Sequence, residues 1–353
     1  MENSAAILRH VDVSQLWDAK PGYFNTASYG LPPRAAFDAL QSALADWRVG
    51  HTSWEDWHAH AHGAREIFAR LVAVPAADVA IGATVSEQIG LVAAALPPGS
   101  RVVVPEGEYT SMLFPWLVHR DRGVTVDSVP LERLAEAIDS ETTLVAFSLV
   151  GSASGEVAPH DDIVSAAREH GAFVAVDGTQ ACGWLPIDAS RFDAFAVHAY
   201  KWLMSPRGTS FLVVKPELRE LMRPVAAGWY AGEEPFASFY GLPLRLAADA
   251  RRFDTSPAWF SWVGTKVALE VIEEIGVAAI HDHDVALADR LREGLGLPPG
   301  RSPIVSADVP RAEEKLAAAG IRASVRAGRI RLACHIYTTA RDVDAALDTL
   351  GAP

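Results

Sequence analysis

The sequence predicts an α/β protein, with a large domain on a mostly parallel sheet followed by a smaller α+β domain. Three observations support this. At 353 residues the chain exceeds what one hydrophobic core usually holds, so a large domain plus a smaller one is expected. The apolar runs at 172–176 and 192–197 are short and continuous, as strands buried on both faces of a parallel sheet are. Helical spacing at 34–47, 86–96 and 161–170 falls between such runs, and the last stretch stops at Gly171 before the run that delivers Asp177.

Bulk properties narrow the class of function. Half of the residues are apolar, enough for a buried core, yet no uninterrupted apolar run approaches a membrane span. The first 15 residues alternate polar and apolar, with no basic segment leading into an apolar one, so neither a secretion signal nor a membrane partner is expected. Thirty-one basic against 44 acidic residues give a net charge of −13, which repels nucleic acid and anionic lipid. Two cysteines, Cys182 and Cys334, indicate no disulfide framework and point to the reducing cytoplasm.

Taken in order, residues 1–32 read as an N-terminal arm. Within it, the segment from Tyr23 through Asn25, Ser28 and Gly30 to Pro33 carries turn chemistry and then yields to the helix at 34–47. Residues 51–62 hold four histidines and two tryptophans. His58 and His62 are spaced to share a helix face, but no cysteine or third ligand accompanies them, so no metal is expected. Trp54 and Trp57 are expected to shape a substrate mouth or bury against a partner subunit. The run Val79 to Thr84 ends in Gly-Ala-Thr and opens the helix at 86–96. There, free backbone N–H groups and a hydroxyl suit a phosphate cradle, although any small-residue helix cap reads alike. Strands follow at 101–105, leading to Glu108 and Tyr109, and at 142–150, leading to Ser152. Past the run at 192–197 come His198, Tyr200, Lys201 and a further strand at 211–214, and the large domain is taken as 33–260. The small domain, 261–353, begins with helical spacing at 264–274 and 285–295. Pro/Gly-rich punctuation at 297–302 then opens its α+β part: strands at 304–309, 321–325 and 329–333, and helices at 312–319 and from 338 or 339 to 350.

Asp177 and Lys201 stand just past adjacent strands, at the carboxyl edge where open α/β sheets keep their ligands. Pyridoxal 5′-phosphate needs a lysine for a Schiff base with its aldehyde and an acid to keep its pyridine nitrogen protonated. Asp177 and Lys201 suit both roles, although a turn-capping acid and a surface lysine would read alike.

The stretch Asp177-Gly178-Thr179-Gln180, Asp193, His198, Lys201 and Pro206-Arg207-Gly208 resembles the class V branch of the fold-type I pyridoxal-phosphate enzymes. That group contains cysteine desulfurases, selenocysteine lyases, isopenicillin N epimerases and kynureninases. The resemblance implies a mixed, mostly parallel seven-stranded sheet and a homodimer with shared active sites. It implies Lys201 and Asp177 as catalytic residues, with Tyr109 covering the cofactor ring. Ala83, Thr84, Ser152, Gln180, His198 and Tyr200 would complete the cofactor site, and Ser256 would reach the phosphate of the neighbouring subunit. Arg331 would hold the carboxylate of an amino-acid substrate, with Arg326 and Asn25 beside it.

Three departures bear on the reaction. Desulfurases carry a histidine where Tyr109 stands, and a phenol stacks as well but is a poorer proton carrier near neutrality. Relatives place Asn or Gln near Gly151 or Ser152, so Ser152 or Gln180 must take the cofactor's 3′-oxygen here. Desulfurases insert a loop with a nucleophilic cysteine between the two arginines; here four residues separate Arg326 from Arg331 and none is cysteine. The expected activity is therefore a C–S β-lyase acting through an external aldimine on a cysteine-type substrate or S-conjugate, and not a persulfide-forming desulfurase. Transamination, epimerisation and decarboxylating or oxidative deamination start from the same state and are the alternatives. A non-catalytic pyridoxal-fold binding protein is the opposing class, disfavoured by the retention of Asp177, Gln180, Lys201 and Arg331. The ten tryptophans suggest a substrate larger than free cysteine.

Overall fold

The computed structural model describes residues 13–351, so the first twelve residues of the arm lie outside the described residues. The central sheet holds β1 (Val79–Gly82), β2 (Arg101–Pro105), β3 (Thr125–Val129), β4 (Thr142–Ser148), β5 (Phe173–Asp177), β6 (Ala194–His198) and β7 (Ser210–Val214). Their spatial order is β1-β7-β6-β5-β4-β2-β3; β7 runs antiparallel to both neighbours and the other pairs are parallel. This is the mixed, mostly parallel sheet of seven strands that the resemblance implied.

Helices cover both faces, which is why the central strands are apolar throughout. Alternate residues of β5 point to opposite layers. Val174 and Val176 join a core with Phe68, Phe147, Phe195, Trp262 and Ile272, while Ala175 joins Val85, Ile89, Val104 and Leu212. The first core lies under α2 (Trp54–Leu71) and the crossover α5 (His160–His170), which ends in left-handed Gly171, and α1 (Arg34–Arg48) contributes none of its residues. The second lies under α3 (Val85–Ala95) and α4 (Thr110–Leu117). Strand β3 escaped the sequence reading because it is an edge strand of half-exposed, mixed composition.

The short helix α6 (Pro216–Arg219) follows β7, and the long helix α7 (Trp259–Ile275) packs against α1 and α2. The boundary expected at 260/261 falls inside the first turn of α7, whose Trp262, Leu269 and Ile272 belong to the large core. The small body has its own core of Phe24, Leu291, Ile330, Leu332 and Val343. It comprises α8 (Val277–Gly294), β8 (Ile304–Ala307), α9 (Ala312–Ala318), β9 (Ser324–Arg326), β10 (Arg329–Ala333) and α10 (Ala340–Leu350). Its three strands are antiparallel in the order β8-β10-β9, and a tight turn through Ala327 (φ 48°) and Gly328 (φ 75°) closes the β9–β10 hairpin. The described part of the arm is tied to this body: Tyr23 and Asn25 bridge to Arg322 and Ala333, and Gly22 N–H donates to Asp342 Oδ1 at 2.6 Å. Among the described residues no helix is long and apolar enough to cross a membrane.

One buried ion pair joins α2 to the sheet. Arg65 Nη2 lies 2.5 Å from Asp254 Oδ2, and Asp254 Oδ1 accepts from Ile81 N–H at 2.8 Å, both side chains being buried. Asp254→Ala leaves the Arg65 charge unpaired in the core and is expected to lower stability by about 3–5 kcal/mol. The check is urea denaturation; an unchanged midpoint counts against that role.

Candidate active site

Parallel strands place their carboxyl ends side by side. Ser148 at the end of β4 pairs in register with Asp177 at the end of β5, and His198 ends β6 next to them. Lys201 follows in a turn held from outside by the arm, where Gly30 N–H donates to Tyr200 O at 2.9 Å. A side chain at position 30 would put its Cβ 1.9 Å from Lys201 O, so only glycine allows the arm this close.

One cavity collects Tyr109, Ser148, Ser152, Asp177, Gln180, His198, Tyr200, Lys201 and Arg207. A roomier cleft lined by His160, Asp161, Arg191, His281 and Arg301 shares none of these groups, and chemistry rather than room marks the site. Burial lowers the Lys201 ammonium to about 8 against the pull of Asp177, and Arg331, Arg326 and Arg207 push it the same way. Burial raises the Asp177 carboxyl; Thr179, whose N–H donates to Asp177 Oδ1 at 2.8 Å, and Lys201 oppose it. His198 is lowered to about 4, first by burial and then by Lys201 and Arg207, so it is neutral near pH 7. Its Nε2 accepts from Val85 N–H at 3.3 Å, and its Nδ1 is buried without a partner among the described residues. The Tyr109 and Tyr200 rings lie 5.6 and 5.7 Å from Lys201 Nζ, and Tyr200 also packs on His198, Tyr29 and the Arg207 guanidinium.

Arg331 is fully buried yet meets no carboxylate. Its Nε donates to Ser324 Oγ (3.1 Å), Nη1 to Ser152 O (2.5 Å) and Nη2 to Ser28 Oγ (2.7 Å). Nη1 also reaches Ser152 Oγ at 3.4 Å, so of the five N–H donors of the guanidinium the second one on Nη2 is left for a carboxylate. Arg326 stands beside it, with Nη2 3.3 Å from the same Ser28 Oγ.

Other expected residues stand outside that space. Ala83, Thr84, Arg326 and Arg331 are not in the lining of the Lys201 cavity. Thr84 caps α3, accepting from Glu87 N–H at 3.2 Å and donating to Glu87 Oε2 at 3.1 Å, while the next N–H, of Val85, goes to His198. Gln180 lines the cavity, but both ends of its amide are occupied. Nε2 donates to Ala27 O and Ser152 Oγ, and Oε1 accepts from Trp202 Nε1. The Ser152 hydroxyl accepts from Gln180 and so keeps its own proton to donate. Asn25 is not in the cavity lining; its loop contributes Ser28 instead. Ser256 is exposed and lies outside the cavity of its own chain. No tryptophan lines that cavity either. Trp116, Trp184, Trp202 and Trp262 are core; Trp54 packs with Trp229, Phe236 and Phe239, and Trp57 with Trp259 and Phe260. His58 Nδ1 meets Tyr230 OH at 2.9 Å and His62 faces Glu66; among the described residues no group of side chains is arranged to hold a metal.

Sequence reasoning gave no role to Glu108 or Ser28. Glu108 Oε1 accepts from Tyr109 N–H (2.6 Å) and Ser148 Oγ (2.5 Å), and Oε2 from Ser148 N–H (2.7 Å), so it locks the Tyr109 loop onto β4. Only the adjacency of Glu108 to Tyr109 could have flagged it.

Residues 23–316 match the family described as Aminotransferase class-V. The chain belongs to that family. Uncharacterized aminotransferase YcbU of Bacillus subtilis (strain 168) is 31% identical over 327 residues, covering 85% of this chain and 86% of that protein. Isopenicillin N epimerase of Streptomyces clavuligerus is 28% identical over 93% of this chain and 94% of its own length. The solved complex of the cystine C-S lyase C-DES with its reaction product cysteine persulfide shares the fold, with a TM-score of 0.84, 23% identity, and 94% of this chain and 97% of that one covered. Class-V aminotransferases depend on pyridoxal phosphate, so the chain is an enzyme of the lyase and transferase kind, and the expected cofactor stands with the family.

The cavity suits that group. A buried carboxyl, a buried amine of lowered basicity and an unpartnered buried imidazole nitrogen line one space, a donor set that packing alone does not call for. Because the free amine is the attacking species, cofactor-free protein is expected to take up pyridoxal phosphate faster as pH rises, with a midpoint near about 8. Stopped-flow absorbance checks this, and a midpoint in the ordinary lysine range contradicts it.

Proposed function

We propose that this class-V enzyme is a C–S β-lyase that cleaves the side chain of a cysteine-type amino acid or S-conjugate. The carrying observation is that Lys201 and Asp177 line one cavity and Arg331, bonded to Ser152 of its lining, is felt at Lys201, while neither cysteine lines that cavity. Both cysteines are buried; burial pushes the Cys182 thiol up to about 12, and Cys334 is pushed well above its ordinary value, first by burial and then by Asp284. A thiol kept protonated is a poor acceptor of sulfur, which favours a lyase over a desulfurase that forms a persulfide on itself.

The free N–H on Arg331 Nη2 would hold the substrate carboxylate and so fix which bond at the α-carbon faces the ring. When bound, pyridoxal phosphate supplies an electron sink for negative charge on that carbon. Asp177 would hold the ring nitrogen as a cation, and the Ser152 hydroxyl is free to donate beside it. Lys201 Nζ, once the substrate amine has displaced it, would take the α-proton as the C–S bond breaks. The sulfur would leave with the bonding pair, and water uptake would give pyruvate and ammonia. Glu108 would keep the Tyr109 ring over the site.

We place the enzyme in the cytoplasm as a homodimer with shared sites. Supporting the dimer, Ser256 is exposed outside its own cavity, and Val225, Tyr240, Leu242 and Leu244 leave apolar surface open to a second copy.

The test is to incubate holoprotein with cysteine, cystine and S-conjugates and identify products by mass. Pyruvate, ammonia and a thiol or persulfide support the lyase. A different keto acid makes it an aminotransferase, and an inverted amino acid an epimerase. No turnover and no visible absorption after reconstitution would leave a binding protein.

A further inference from the structure

The β9–β10 hairpin carries one arginine more than an α-carboxylate requires. Pairing Ser324 with Arg331 and Arg326 with Arg329, the register puts Arg331 and Arg326 where both reach Ser28 Oγ, at 2.7 and 3.3 Å. Neither forms an ion pair among the described residues, although Arg65, Arg101, Arg168 and Arg292 each have an acidic partner. Two like charges converging on one hydroxyl repel each other, and the repulsion is felt: Arg331 is lowered to about 10 by burial and then by Arg326. The turn that aims them holds Ala327 at a positive φ of 48°, a conformation non-glycine residues rarely adopt.

A cation pair of this kind is stabilised when anions enter between its members. The free N–H of Arg331 Nη2 suits an α-carboxylate oxygen. Arg207 lines the cavity, stacked on Tyr200 and near His198. Arg326 is the remaining cation whose charge is felt at Lys201; it is exposed and shares Ser28 with Arg331, which leaves it for the part of the substrate beyond its α-carbon.

We propose that Arg326 receives a second anionic group, so that the substrate is a dianionic amino acid whose side chain ends in a carboxylate or a sulfur oxyacid. This rests on the reading of the cavity as a pyridoxal-phosphate site for amino acids. Within the lyase reading, the departing sulfur group carries the negative charge. Arg331 sets the α-carbon for either kind of amino acid, and Arg326 makes the distinction between acidic and neutral ones.

The experiment is a spectral titration of full-length holoprotein with L-aspartate against L-asparagine, L-glutamate against L-glutamine, and S-carboxymethyl-L-cysteine against its amide. L-Cysteine sulfinate against L-cysteine tests the sulfur oxyacid. The Arg326→Gln and Arg331→Gln variants are titrated alongside. The acids are expected to bind at least roughly 10-fold tighter than their neutral counterparts in the wild type, as for loss of a charge-assisted contact. In Arg326→Gln this ratio falls to within about twofold, whereas in Arg331→Gln both members of each pair weaken together. The sulfinate and carboxylate arms show which anion is preferred. Equal binding of acids and amides by the wild type, as when a second copy of the chain neutralises Arg326, overturns the inference but leaves the cofactor reading standing. So does a preference that survives Arg326→Gln. A protein that never develops a visible band with pyridoxal phosphate overturns both.

Discussion

Lys201→Ala is expected to abolish the visible absorption of reconstituted protein and to lower turnover by at least roughly 10³-fold, since the proposed function makes the residue both covalent anchor and proton carrier. The variant should still fold. Lys201 is buried, but its backbone carbonyl, against which Gly30 packs, is unchanged, and among the described residues its side chain forms no ion pair within contact distance. Removing the amine also removes a charge that holds the neighbouring Asp177 carboxyl down, so Asp177 should become harder to ionise. Adding methylamine offers a control, because a free amine can restore proton transfer without restoring the covalent link. A Lys201→Ala protein with a wild-type spectrum would remove the basis of the proposed function.

Arg331→Lys is expected to lower kcat/KM by about 100-fold, with most of the loss in KM, even though the charge is kept. The guanidinium engages Ser324, Ser152 and Ser28 in three directions and still offers a donor on Nη2 to a carboxylate. An ammonium has three donors on one atom and cannot do both. Each charge-assisted hydrogen bond contributes about 1.5–3 kcal/mol, so one lost prong already accounts for the expected factor. Steady-state kinetics on any accepted amino acid checks this. A lysine variant with unchanged KM would show that Arg331 holds the small body together and does not bind substrate.

Some of this site could be seen before any coordinates. Asp177 and Lys201 each follow a short apolar run, and such runs become adjacent parallel strands because nothing else buries them on both faces. The spacing of Arg326 and Arg331 across a Gly-containing turn already excluded an inserted cysteine loop. Other parts carry more than one use. The Gly-Ala-Thr turn has the composition of a phosphate cradle, and its threonine also caps the helix start. The tryptophans near residue 54 suggested a mouth or a surface against a partner subunit, and within the chain they pack against aromatic rings from 229 to 260.

The sequence alone determined the family, the strand-borne acid and amine, and the absence of a sulfur-accepting thiol loop, since each rests on residues close together in the chain. The tertiary structure decided which hydroxyls hold the arginines and which donors stay free. Ser28 meets Arg331 across 303 positions, and Glu108 meets Ser148 across 40. Such bonds are set by how loops from separate elements come to rest at one edge of the sheet. A serine's composition is the same wherever it lies, and only its neighbours in space determine whether its oxygen steadies a guanidinium or faces water.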